Sequence, residues 1–160
     1  MIHEAVWADV REVARNMRER DAKEVCALAY TDDPVTAVSC LQTVPFVGAT
    51  VWRDVPIAAV GALFMWPGVV SAFMFATDRW PEVALETTRY VRKVLIPSLY
   101  AQGVHRMQCH SLVDHEKAHR WLESFGATAT PAPQYGKGKE DFVLYVLDEA
   151  GMARVTSVGN

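Results

Sequence analysis

Cysteine is scarce in this chain: Cys26, Cys40 and Cys109 are the only three in 160 residues. Three scattered thiols make no disulfide framework and point to a reducing compartment. An excess of positive charge is also missing, since 16 basic against 19 acidic side chains leave a net charge of −3. Nucleic acid and anionic membrane both demand a basic face, so neither is expected as a partner. The N-terminus lacks the charged-then-apolar order of a secretory signal. No G-x-S-x-G occurs, and Ser71, Ser98 and Ser111 have no local base, so a nucleophile elbow is excluded. No glycine stands between Gly68 and Gly103, and no repeat or low-complexity run is present. What remains is an ordinary globular composition, 51% hydrophobic and 22% charged. At this length a folded chain buries about 70% of its unfolded surface, enough for a core without disulfide or metal.

Charge is absent from Val55 to Thr77, a run long enough to cross a bilayer as a helix. Trp66-Pro67-Gly68 interrupts it with turn residues, and the flanks are strand-length and partly β-branched or aromatic. The run therefore predicts a buried β-hairpin, not a membrane span. Before it, Val10, Val13, Ala14 and Met17 recur at helical spacing, and a second short helix is expected over 21–29. Asp33-Pro34 marks a helix start. Val47 to Trp52 reads as a strand, and 55–65 and 69–77 complete a meander. A long helix follows from Pro81, with Pro97 expected to kink or end it. Val104 to Leu112 reads as a strand. A helix capped by Asp114 then carries Ala118, Trp121, Leu122 and Phe125 on one face and stops at Gly126. The stretch 130–140 reads as a loop with a hairpin tip at Gly136-Lys137-Gly138-Lys139, and Phe142 to Leu147 as the last strand. The order predicts a mixed α/β sandwich of sheet and helices in a single domain over 1–160, with a core of about 5–148 and a C-terminal tail over 149–160.

Three patterns bear on chemistry. His115-Glu116-Lys117-Ala118-His119 is a literal H-E-x-x-H, which on a helix can hold zinc with the glutamate as base. His115 falls at the helix start, Lys117 intrudes, and the further acidic residues Glu123, Glu140 and Asp141 are generic. No metal is therefore expected, and a zinc hydrolase using this motif is the lesser alternative. Strand alternation puts His105 and Cys109 on one face and His110 on the other, which prevents one compact ligand set. Thr77-Asp78-Arg79-Trp80-Pro81 joins strand to helix, a place where backbone N–H groups can hold an anion. Without glycine it is a poor phosphate cradle.

The order of elements, with "VHRMQCHSLVDHEKAHRWLESFGA", resembles the C-terminal half of the GNAT (N-acetyltransferase) fold. That family carries an Asn-x-x-Ala-x-x-x-Tyr-x-x-x-Gly-Phe helix after a strand; here the stretch is His115-x-x-Ala118-x-x-x-Leu122-x-x-x-Gly126-Ala127. The chain from about Val10 to Leu147 is also similar to the GNAT-like proteins of short-tailed phages, the family that includes the internal virion protein A. "ADVREVARNMRERD", "VPIAAVGALFMWPGVVSAFMFATD", "AHRWLESFGA" and "PAPQYGKGKEDFVLYV" carry that likeness.

The resemblance implies an α+β domain with a mostly antiparallel central sheet flanked by helices, and acetyl-CoA as the cofactor. By residue it implies cofactor contacts from the backbone of Phe75 and Thr77, from Arg79 and Trp80 at the junction, and from His115. The family's Gln/Arg-x-x-Gly-x-Gly/Ala loop is replaced here by Asp78-Arg79-Trp80-Pro81-Glu82, and its proton-donating Tyr by Leu122. No catalytic residue can be named. The expectation is a degenerate acetyl-CoA site in a protein of the host cytoplasm or the virion. It would act through phage or host protein contacts in morphogenesis or host takeover, with an exposed apolar patch at Trp7, Trp52 or Trp80. An active acyl-CoA-dependent N-acetyltransferase is the alternative.

Overall fold

The computed structural model describes residues 1–158. Seven strands form one sheet in the order β1-β2-β3-β4-β5-β7-β6. β4 and β5 are parallel, while β1/β2, β2/β3, β5/β7 and β6/β7 are antiparallel. With its helices this is the α+β, mostly antiparallel architecture the sequence predicts. The chain divides into two compact units, 1–63 with 72–88, and 64–71 with 89–158.

The first unit opens with β1 (Ile2–Glu4), too short to show in the sequence pattern, which pairs with β2 (Phe46–Trp52). Between them lie α1 (Trp7–Arg15), α2 (Glu19–Ala27) and the four-residue α3 (Pro34–Ala37). Asp33 caps α3 by accepting the Thr36 N–H at 2.8 Å, with Pro34 in the first turn as its fixed φ favours. β3 (Pro56–Trp66) and β4 (Val69–Ala76) form the predicted hairpin. Both faces of these strands are covered, which is why the run can be uncharged throughout. Phe75 and Ala59 pack with Val10, Val13, Ala14, Val38 and Leu41, whereas Ala58 and Ala76 pack with Val51, Ile57 and Val83. Burying each Val side chain contributes roughly 1.5–3 kcal/mol, so Val10 and Val13, both fully buried, tie α1 to the sheet. Gly48 and Gly61 face each other across β2 and β3, and a Cβ on Gly61 would strike the Phe73 ring at 2.8 Å. No helix among the described residues is long and apolar enough to cross a membrane.

The second unit begins at the hairpin turn, where Gly68 has φ +83°. The predicted long helix is in fact three pieces. α4 (Ala84–Tyr90), which begins in the first unit, runs into a π-helical stretch over Val91–Leu95, then α5 (Ile96–Ala101). Pro97 has no N–H to give the Lys93 carbonyl, and the π turn ahead of it absorbs that loss, so the helix continues instead of ending. β5 (Arg106–Leu112), α6 (Glu116–Glu123), β6 (Thr128–Ala132) and β7 (Phe142–Asp148) follow. Asp114 is not the cap of α6; His115 occupies that position with backbone φ −87°, ψ 60°. Gly126 closes the helix at φ +92°, as predicted. β6 stands where a loop was expected, because Pro131 in the sequence argues against a strand. At a sheet edge its missing N–H costs no ladder bond. The expected C-terminal tail is α7 (Glu149–Val158), with Met152 buried and the Asp148 carboxylate accepting the Gly151 N–H at 2.8 Å.

Candidate functional site

The junction that follows β4 is built by strand alternation and a tight turn. The Thr77 N–H donates to the Ile57 carbonyl of β3 at 2.9 Å, so Phe75 and Thr77 direct their backbone groups at β3. The Thr77 carbonyl then accepts the Trp80 N–H at 3.0 Å, and its hydroxyl accepts the Arg79 N–H at 3.3 Å. Glu82 and Val83 donate to the carbonyls of Arg79 and Trp80, closing a 3-10 turn over Trp80–Glu82. Pro81 has no N–H. Of the six N–H groups from Thr77 to Val83, those of Thr77, Arg79, Trp80, Glu82 and Val83 all have acceptors within the chain.

Arg79, the cation expected to face a pyrophosphate, is spent on carboxylates. Its Nε and Nη2 form a bidentate pair with Glu82, both at 2.8 Å, and its Nη1 meets Asp54 at 2.7 Å. The Glu82 and Asp54 carboxyls are held below the usual carboxylate range, chiefly by these hydrogen bonds, and the guanidinium is pushed higher still. Nearby, Arg53 holds Glu86 at 2.8 Å and the Glu82 carbonyl. As folded, the junction is a poor fit for a phosphate: five of its six N–H groups have acceptors within the chain, the Arg79 guanidinium is bound by two carboxylates, and no glycine lets a ligand approach the backbone.

Trp80 is half-buried, and the Arg18 guanidinium carbon lies 5.6 Å from its ring centroid. Arg18 Nε also donates to Asp21 Oδ2 at 2.8 Å, and the same oxygen accepts the Ala76 N–H at 2.9 Å. Asp21 is buried, and its bond to Ala76 spans 55 residues of sequence. Local spacing gives no sign of such a contact, and the sequence reading missed it.

His115 belongs to the second unit. It is buried and precedes the first turn of α6. His119, one turn on, uses its Nε2 on the Leu112 carbonyl at 3.0 Å. Among the described residues no group of three His, Cys, Asp or Glu side chains is placed to hold a metal ion. The H-E-x-x-H string is thus a cap residue and a helix-to-strand strut. Beneath α6 the sequence reading also missed Tyr145, whose hydroxyl donates to Glu123 at 3.2 Å and whose ring lies 5.2 Å from that of His119. Burial, and then the Glu123 carboxylate, push this phenol up to about 12. His110 and Cys109 divide between opposite faces as alternation predicts, and His110 stacks on Tyr135 at 4.1 Å.

No family model and no curated protein matches this sequence. Solved structures do match. The ribosomal-protein-alanine N-acetyltransferase from Brucella melitensis has a TM-score of 0.71 at 12% identity, covering 92% of this chain and 99% of its own. The ribosomal-protein-S18-alanine N-acetyltransferase from Escherichia coli has a TM-score of 0.68 at 13% identity, covering 92% of each chain. A GNAT-superfamily phosphinothricin acetyltransferase from Sinorhizobium meliloti, solved with acetyl-CoA, has a TM-score of 0.64 at 16% identity, covering 91% and 86%. Identities this low speak to the fold alone, and the fold they show is that of the GNAT acetyltransferases.

Proposed function

We propose that this chain is a GNAT-fold domain with a degenerate acetyl-CoA site, working through protein contacts. The observation that carries this is the state of the junction after β4. Five of its six N–H groups are paired within the chain, and Arg79 is held by Asp54 and Glu82. Leu122, at the position of the family's tyrosine, has no proton to donate, and loss of a positioned general acid costs about 10²–10⁴-fold. The likeness of four sequence segments to the internal virion proteins of short-tailed phages supports a role in virion morphogenesis or host takeover. Trp7, Trp52 and Trp80 are all partly buried, so they do not form the exposed patch expected of them. The strongly exposed apolar side chains are others, such as Tyr30 in the first unit and Trp66 in the second. Calorimetric titration with acetyl-CoA, with CoA as comparison, tests the proposal. The expected result is no heat of binding at millimolar ligand. Micromolar binding that is lost in Arg79→Ala overturns it in favour of an active N-acetyltransferase.

A further inference from the structure

The sheet ends in β1 and β6, and the two end strands are finished differently. β6 pairs with β7 on its inner side and carries Pro131. Proline on an edge strand offers no N–H to a neighbour and so discourages further pairing. β1 carries no proline. Its three residues are exposed, and they pair with β2 in unbroken register.

The ladder to β2 sets the direction of each β1 group. The Trp52 N–H donates to the Met1 carbonyl at 2.8 Å, and the Ala5 N–H donates to the Gly48 carbonyl at 3.1 Å. Hydrogen-bonded and non-hydrogen-bonded residues alternate in an antiparallel pair. Met1, His3 and Ala5 therefore turn their backbone groups to β2, while Ile2 and Glu4 turn theirs to the outer side. Val6 continues the extended backbone at φ −112°, ψ 150°. Met1, Ile2 and Val6 also leave apolar side chains in solvent, 65%, 39% and 53% exposed. Open backbone groups and exposed apolar side chains thus coincide on one edge.

We propose that β1 is a self-pairing edge, which joins two copies of this chain into one continuous sheet about a twofold axis at His3. The edge is its own complement, as a twofold contact requires. An antiparallel copy with His3 opposite His3 sets Ile2 of each chain against Glu4 of the other. Each of these two pairs exchanges two bonds, so every outward N–H and C=O of Ile2 and Glu4 is satisfied. The same register sets Met1 against Ala5 of the second copy, which covers apolar surface beside the ladder. It also keeps the two Glu4 carboxylates from facing each other, which would oppose pairing. Pairing through β1 is independent of whether a coenzyme binds, and it gives the protein contacts proposed above a first partner in the chain itself.

Sedimentation equilibrium of the full chain, loaded from about 10 μM to about 0.5 mM, reads the association over the range a small interface calls for. The wild type is expected to be at least half dimeric at the top of that range. Ile2→Pro removes an outward N–H and leaves the bonds to β2 in place, so it is expected to weaken dimerisation by roughly tenfold or more, with an unchanged circular dichroism spectrum. Cross-linking in a Cys40→Ser background, which removes the exposed native thiol, reads the register. His3→Cys lies opposite itself across the axis, within disulfide reach, and is expected to give covalent dimer about tenfold faster than Glu4→Cys. A wild type that stays monomeric throughout overturns the proposal. A dimer that survives Ile2→Pro overturns it as well, because the copies then meet by another surface. Should Ile2→Pro fold poorly, the cross-linking decides: equal rates through His3→Cys and Glu4→Cys overturn the pairing.

Discussion

Tyr145 shows how far a single side chain can depart from the pattern that predicts its strand. Alternation marks it as an inward residue of β7, and it is buried, but its hydroxyl must then find a partner and takes Glu123. Both burial and a neighbouring negative charge disfavour the phenolate, so the folded-state pKa, about 12, lies above the unfolded value near 10. The folded protein then holds its proton where the unfolded chain has lost it. Stability from this group is present below pH 10 and declines between about 10 and 12. In an ultraviolet titration of the five tyrosines, Tyr145→Phe is expected to remove the component ionising at highest pH. Glu123→Gln is expected to move that component downward. His110 runs the opposite way. Burial lowers its pKa below the ordinary 6.5, so the unfolded chain binds the proton first, and stability falls as pH drops through that value. Urea unfolding at pH 5 and pH 7 should show this loss in the wild type and a smaller one in His110→Gln.

The elements were legible wherever a period or a punctuation residue announced them. α1 follows from Val10, Val13, Ala14 and Met17, and the β3–β4 hairpin from an uncharged run broken at Pro67-Gly68. Elements set by tertiary pairing were not legible. β1 has three residues, β6 carries a proline, and the π stretch at Val91–Leu95 is one helix pattern interrupted only by the needs of Pro97. α7 looked like a tail because its Gly151 and low amphipathicity weaken the pattern, although Met152 anchors it. The hairpin turn gives a test at this scale. Gly68 sits at φ +83°, and a Cβ there would strike the His105 ring. Gly68→Ala is expected to cost about 1–2 kcal/mol from the left-handed backbone alone. The clash with His105 adds to that. In a double-mutant cycle read by denaturant unfolding, His105→Ala should recover the clash and leave the backbone cost in place.

For the whole molecule, fold and site were legible to different degrees because they depend on different distances in the chain. The order of helices and strands carries the architecture, and strand order and solved relatives agree with it at identities of 11–16%. The site depends in part on pairings that no local spacing encodes. Arg79 could be seen as a cation three residues from Glu82, but not as one also bound by Asp54; Asp21 could be seen as a helix-start acid, but not as the partner of Ala76. On the reading proposed above, each such pairing occupies a group at the coenzyme site, and their sum makes a global prediction. A ligand that binds the folded state at ~1,000 times its Kd raises stability by about 4.1 kcal/mol. For a chain of this size that corresponds to a rise in Tm of roughly 8–16 °C, at about 2–4 °C per kcal/mol. A working acetyltransferase with ~1 μM affinity should therefore show a large thermal shift at ~1 mM acetyl-CoA. The largely paired junction and the doubly bound Arg79 predict a melting curve that acetyl-CoA does not move. A shift of several degrees with acetyl-CoA would instead mean that the junction rearranges to bind, and Arg79→Ala would then show whether that arginine leaves its two carboxylates to do so.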